Sequence, residues 1–178
     1  AKEVDLIGAE SANFADFENV SPRRLQRICN LPFQLATSTT LDLLLPTIVE
    51  QLTEIMPAAK HWALVLRDQD SDTLVLNAYR YIHDPFLNER LLRQVIAERK
   101  GVLWSKRLAP SNPVAGSDSG FASGIYAPLL WHGEALGTLC IGTSGGEGAF
   151  SEEDLTLLAI AGQYAAMAIA TVRLQERL

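Results

Sequence analysis

The chain has 178 residues, 48% of them hydrophobic and 20% charged, a balance that excludes wholesale disorder and suits one folded domain with a flanking segment. A formal net charge of -6 offers no clustered cationic surface, so neither nucleic acid nor a membrane is expected as a partner. Cys29 and Cys140 stand far apart without a CxxC pair, and His61, His83 and His132 lack ligand spacing, so no metal site or disulfide framework is expected and a reducing cytoplasm is the plain location.

Residues 1–20 carry Glu3, Asp5, Glu10, Asp16 and Glu18 against Lys2 without sustained periodicity. They read as a linker or arm. Ala1 in place of Met leads to the expectation that sequence precedes it. No signal peptide opens the chain, and apolar runs such as 43–45 and 165–170 fall short of the ~20 residues a membrane span requires.

Helix signals begin at Ser21, a capping residue, with Pro22 at the first helical position and Val20 and Leu25 placed as a staple. Residues 21–37 are expected to form one connecting helix that Pro32 kinks or stops. Thr39 or Thr40 then caps a second helix, whose apolar positions Leu41, Leu44, Leu45, Ile48, Leu52, Ile55 and Met56 recur at spacings of three and four. Pro57 ends it.

Two runs rich in β-formers, HWALVLR (61–67) and TLVLNAY (73–79), flank the polar stretch 68–72 and predict a hairpin. The Asp68, Asp70 and Asp72 alternation lacks the Gly and distal Glu of a calcium loop and reads as a solvated turn. Helical spacing returns over 86–100 through Phe86, Leu87, Leu91, Leu92, Val95 and Ile96, with Gly101 as the stop. A short strand, 102–104, leads into a long polar loop, 105–123, which includes Asp118 as a possible polar contact.

The clearest hairpin pairs IYAPLLW (125–131) with EALGTLCIG (134–142) about a His132-Gly133 turn, with Gly133 expected at positive φ and Pro128 marking an edge strand or a bulge. His132 reads as a solvent-facing turn residue, His83 as loop and Cys140 as a small buried core residue. After a Gly-rich stretch, F-S-E-E-D opens the final helix, with Ser151 as cap, Asp154 as the acidic third residue, and Phe150 and Leu155 as the staple.

The order of elements gives an α+β domain with a central antiparallel sheet and N- and C-terminal helices packed on one face. Over residues 124–155 the text G-I-Y-A-P-L-L-W-H-G-E-A-L-G-T-L-C-I-G, a Gly-rich loop and F-S-E-E-D-L resembles the second half of a GAF domain. A-L-V-L-R-D and L-V-L-N-A-Y resemble that family's opening strands. The resemblance covers 38–178 and implies a small-molecule pocket between one sheet face and the variable loops. It implies neither a cyclic nucleotide nor a bilin here, because the loop S-N-P-V-A-G-S-D-S-G-F lacks the N-K-x-F-D-E signature and neither cysteine is suitably placed.

Trp104, Phe121 and Tyr126 bracket the long loop and are the candidate ligand-binding residues, with Arg107 and Ser123 as further candidates. No catalytic grouping can be assembled, so no enzyme is expected. The function expected is a regulatory module that senses an unidentified small molecule and transmits occupancy through its terminal helices to a fused output domain. The alternatives are a pocketless dimerisation module and, third, a GAF-fold methionine sulfoxide reductase. The final helix is apolar nearly all round. Its face of Leu155, Leu158, Ala159, Gly162, Ala166 and Ile169 is expected to pair with its counterpart in a homodimer, or with the helix at 22–36 of the same chain.

Overall fold

In the computed structural model, which describes residues 5–6, 20–80, 87–107, 121–143 and 150–178, the chain opens with a two-residue strand β1 (Asp5–Leu6). Helices α1 (Pro22–Cys29), α2 (Leu31–Leu35) and α3 (Leu41–Ile55) follow. Then come β2 (His61–Arg67), β3 (Leu74–Arg80), α4 (Glu89–Glu98), β4 (Val102–Arg107), β5 (Phe121–Trp131), β6 (Glu134–Thr143) and α5 (Glu152–Glu176). The strands form one antiparallel sheet in the order β1-β4-β5-β6-β2-β3. His83, Phe86, Asp118 and the Gly-rich stretch after β6 lie outside the described residues.

Residues 21–37 form two helices rather than one. Pro32 sits in the first turn of α2, where its missing N–H costs nothing. Ile28, Leu31 and Leu35 are fully or almost fully buried, so this segment belongs to the core rather than serving as a connector. The arm is not wholly a linker either, because Asp5 and Leu6 pair with Ser105 and Trp104 at the sheet edge.

The β4–β5 hairpin is longer than its apolar pattern suggests, running to Arg107 on one side and from Phe121 on the other. Ser105, Ser123 and Gly124 break the hydrophobic alternation, yet the backbone ladder continues through them because it needs no apolar side chain. His132 and Gly133 both take positive φ, 48° and 75°, the geometry of a tight two-residue hairpin turn. Pro128 marks a register shift between Pro128 and Leu130 on a central strand, which is the bulge reading and not the edge. Helix α4 ends at Arg99, itself left-handed with φ 57°, two residues before the glycine expected to stop it.

Helices α1, α2, α3 and α5 cover one face of the sheet. Leu64, Leu66, Ile125, Ala127, Leu129, Leu139 and Ile141 meet Leu44, Ile48, Leu52, Leu158 and Ile169 there in one core. The start of α5 carries the expected capping box, with Ser151 and Asp154 exchanging hydrogen bonds at 3.2 and 2.8 Å. The acidic first turn of α5 also holds α1: Arg24 meets Asp154 at 2.6 Å, and Glu153 accepts from the Ser21 N–H at 2.7 Å.

The apolar character of α5 is satisfied inside the chain. Leu155, Leu158, Ala159, Gly162, Ala166 and Ile169 are all buried, so this face is not an open dimer contact. At Gly162 a side chain would come within 3.0 Å of the Pro128 carbonyl, so the small residues bring the helix onto its own sheet instead of onto a second subunit. By length and a mean hydropathy of 1.7, α5 also passes as a membrane span, contrary to the reading from its short apolar runs, but 67% of that window is buried in the fold.

Candidate ligand site

Among the described residues, the opposite face of the sheet is covered by α4. Amphipathic spacing turns Leu91, Leu92 and Val95 onto a second cluster with Ala63, Val65, Val102, Trp104, Tyr126 and Cys140. The register of the ladders shows how a cavity arises at its edge. One cross-strand row runs Ala63, Cys140, Tyr126 and Val102; another runs His61, Gly142, Gly124 and Trp104. Two glycines thus lie side by side between a histidine and a tryptophan.

The resulting cavity is small, about 20 Å³, open to solvent on one side, and is lined by His61, Trp62, Ala63, Leu87, Trp104, Tyr126, Cys140, Ile141 and Gly142. The Trp104 indole lies directly over Gly124, in space that a Cβ at that position would occupy. Gly142 is different: a Cβ there would meet only ordinary contacts, 3.7 Å from the Ser123 carbonyl and 3.8 Å from His61. Gly142 is therefore an unfilled place in the wall.

Tyr126 joins the wall to the roof. Its ring tilts against Trp104 at a centroid distance of 6.4 Å, and its phenol oxygen accepts the Asn88 N–H at 3.0 Å. The Asn88 side chain in turn caps α4 by accepting from Leu91 N–H. The position of α4 over the cavity thus depends on a residue of the cavity wall. Burial pushes the Cys140 thiol up from its ordinary value, which keeps it neutral and unreactive.

Of the residues singled out from sequence, Trp104 and Tyr126 come together in this lining. Ser123 does not join them. It shares the face of Ile125, on the helix side, where its hydroxyl accepts the Phe150 N–H at 3.0 Å and its carbonyl accepts the Thr143 hydroxyl at 3.3 Å. Its role is to tie β5 and β6 to the start of α5. Arg107 and Phe121 pair with each other at the end of the β4–β5 ladder; their side chains lie outside the described residues.

Sequence reasoning missed His61, Ala63, Leu87 and the two glycines. A signal existed in Gly124 and Gly142, because glycine inside a strand marks a place where something else approaches the backbone. His61 and Ala63 carried none without the register. Among the described residues no group of three or more His, Cys, Asp or Glu is placed to hold a metal ion.

The sequence matches the GAF domain family over residues 38–170. No curated protein matches it. Among solved structures, the GAF domain of an Acinetobacter phosphoenolpyruvate-protein phosphotransferase aligns with a TM-score of 0.65 at 17% identity, covering 87% of this chain and 97% of that one. The corresponding domain from Coxiella burnetii gives 0.63 at 21% identity, with the same coverage. Free methionine-R-sulfoxide reductase from Neisseria meningitidis, solved with its substrate, gives 0.62 at 20% identity, covering 87% of this chain and 95% of that one. At these identities the structural likeness carries the fold, and the family match carries membership: this chain belongs to the GAF domain family.

Proposed function

We propose that the chain is a regulatory, small-molecule-sensing module, not an enzyme, that passes ligand occupancy through its terminal helices to a fused output domain in the cytoplasm. The observation that carries this reading is the cavity between the two cross-strand rows, roofed by α4 and walled by Trp104 and Tyr126. Family membership supports it, since GAF domains are commonly regulatory.

The reading against catalysis rests on the thiols. Cys140 is 4% exposed with its thiol held neutral, while Cys29 is exposed on α1, in the helix layer across the sheet from the cavity. Thiol chemistry on a bound sulfoxide needs an accessible thiolate at the ligand, and neither cysteine meets that need. The same proposal includes pairing of two copies. Phe33, Leu43, Met167 and Leu174 leave apolar surface exposed on the helix layer, and this surface is what a homodimer would use in place of the buried face of α5.

Native mass spectrometry of the purified chain, with mass analysis of anything released on unfolding, tests the sensory reading. A retained small molecule is the expected result. A protein of bare mass whose melting temperature is unmoved by a metabolite panel favours the pocketless module, because a ligand that binds only the native state must raise stability.

A further inference from the structure

A second opening lies at the other end of β2 from the α4 cavity. The strand starts at His61 in the cavity wall and ends at Arg67 in this one, roughly 20 Å away at the rise of an extended strand. Here the β2–β3 turn, the start of α3 and the last turns of α5 enclose a groove of about 400 Å³, within the roughly 300–1,000 Å³ of small-molecule sites. Its apolar lining is Leu66 and Val75, paired across β2 and β3, together with Leu41.

The charged groups around the groove are mostly engaged. Arg67 meets Asp72 at 3.7 Å, Arg177 donates to the Gln69 Oε1 at 3.1 Å, Glu176 accepts the Leu41 N–H at 3.2 Å, and Asp68 accepts the Asp70 N–H at 2.9 Å. Arg173 differs: its Nη1 is buried without a hydrogen-bond partner among the described residues. Burial and the neighbouring Arg177 work against its charge, while Asp68 and Glu176 favour it, and a guanidinium stays protonated regardless. A buried donor on a fixed charge lacks an acceptor here, and the fork of a carboxylate matches it. A bare anion would also face the carboxylates of Asp68, Asp70 and Glu176. A ligand with an ammonium group beside its carboxylate meets both signs of charge.

We propose that this groove binds a free α-amino acid with an apolar side chain, its carboxylate on Arg173, its ammonium group toward Asp68 and its side chain against Leu41, Leu66 and Val75. The site is separate from the cavity on which the sensory reading rests, so each stands or falls without the other. Its occupant joins the β2–β3 turn to the last turns of α5.

Calorimetry and melting curves on the 178-residue chain test this with L-leucine and three analogues. Leucinamide lacks the carboxylate, 4-methylpentanoate lacks the ammonium group and glycine lacks the side chain. Leucine is expected to bind and raise the melting temperature, and each analogue to bind at least about tenfold more weakly. Arg173→Gln is expected to weaken leucine binding by at least about tenfold without lowering the melting temperature of the free protein, because it removes a buried donor that has no acceptor. Asp68→Asn keeps the oxygen that accepts from Asp70 and removes only the charge. It is expected to weaken leucine and leave 4-methylpentanoate no weaker than before. Absence of leucine binding, equal binding of any analogue, or unchanged leucine binding by either folded variant overturns the proposal. If Arg173→Gln does not fold, leucinamide and Asp68→Asn decide it.

Discussion

Among the described residues, one side of the sheet meets four helices, with fully buried leucines and isoleucines from β2, β5 and β6 and from the helices themselves, whereas on the other a single ten-residue helix covers a small cluster with a cavity at its edge. The first side also brings backbone close to backbone, as where Gly162 lies against the Pro128 carbonyl. The second leaves Gly142 with room for a side chain. Dense packing resists deformation and holds the fold, while a locally thin layer can open at low free-energy cost and is where a ligand has most leverage. The contrast assigns stability to the helix layer and responsiveness to the α4 face.

The sharpest way to break this comparison is a large-to-small change on the dense side. Leu158 is fully buried between α5 and the sheet, so Leu158→Ala is expected to cost about 2–5 kcal/mol, measured by urea denaturation. A loss below 1 kcal/mol would mean that the helix layer is not where stability resides. On the α4 face the informative change adds atoms instead. Gly124→Ala places a methyl group where the Trp104 indole lies, at a cost of about 1–3 kcal/mol, and the Trp104 indole N–H resonance should move. A native spectrum with unchanged stability would show that the indole does not rest there.

Tyr126→Phe sharpens the comparison further, because it removes one hydrogen bond and almost no volume. The Asn88 N–H loses its acceptor, at a cost of about 1 kcal/mol. Hydrogen exchange should speed up at Asn88 and in the first turn of α4 while the α5 amides keep their protection. Uniform acceleration over both helices would show that α4 is not a separately opening unit.

How much of this was legible beforehand differs between the two faces. The helix layer follows from periodicity: the apolar positions of α3 and the S-E-E-D start of α5 are one-dimensional signals, and the structure has a buried face and a capping box there. The same signal misled at Leu155–Ile169, because all-round apolarity says that a helix is buried on several sides without naming the partner. The chain's own sheet and its α1, α2 and α3 helices provide that cover. The site is a matter of register. Trp104 and Tyr126 were visible as aromatics at strand ends, but the row of His61, Gly142, Gly124 and Trp104 joins four strands, and no local pattern brings residues 61 and 142 together. Ser123 was misplaced for the related reason that one step along a strand reverses the face a side chain occupies.

The smallest expected effect concerns Thr138, whose hydroxyl is fully buried without a hydrogen-bond partner among the described residues. In the register it lies beside Val65, two residues along β6 from Cys140, and so it shares the α4 face. Burying a hydroxyl without a partner costs free energy that an apolar group of the same shape does not incur. Thr138→Val preserves the shape, so stability should be unchanged or rise by up to about 1 kcal/mol, read as a higher midpoint with an unchanged denaturant slope. A thin, imperfectly satisfied layer tolerates this substitution or gains from it. A loss of 1 kcal/mol or more would instead mean that the hydroxyl has a partner in the native protein, and that the α4 face is as fully satisfied as the helix layer it has been contrasted with.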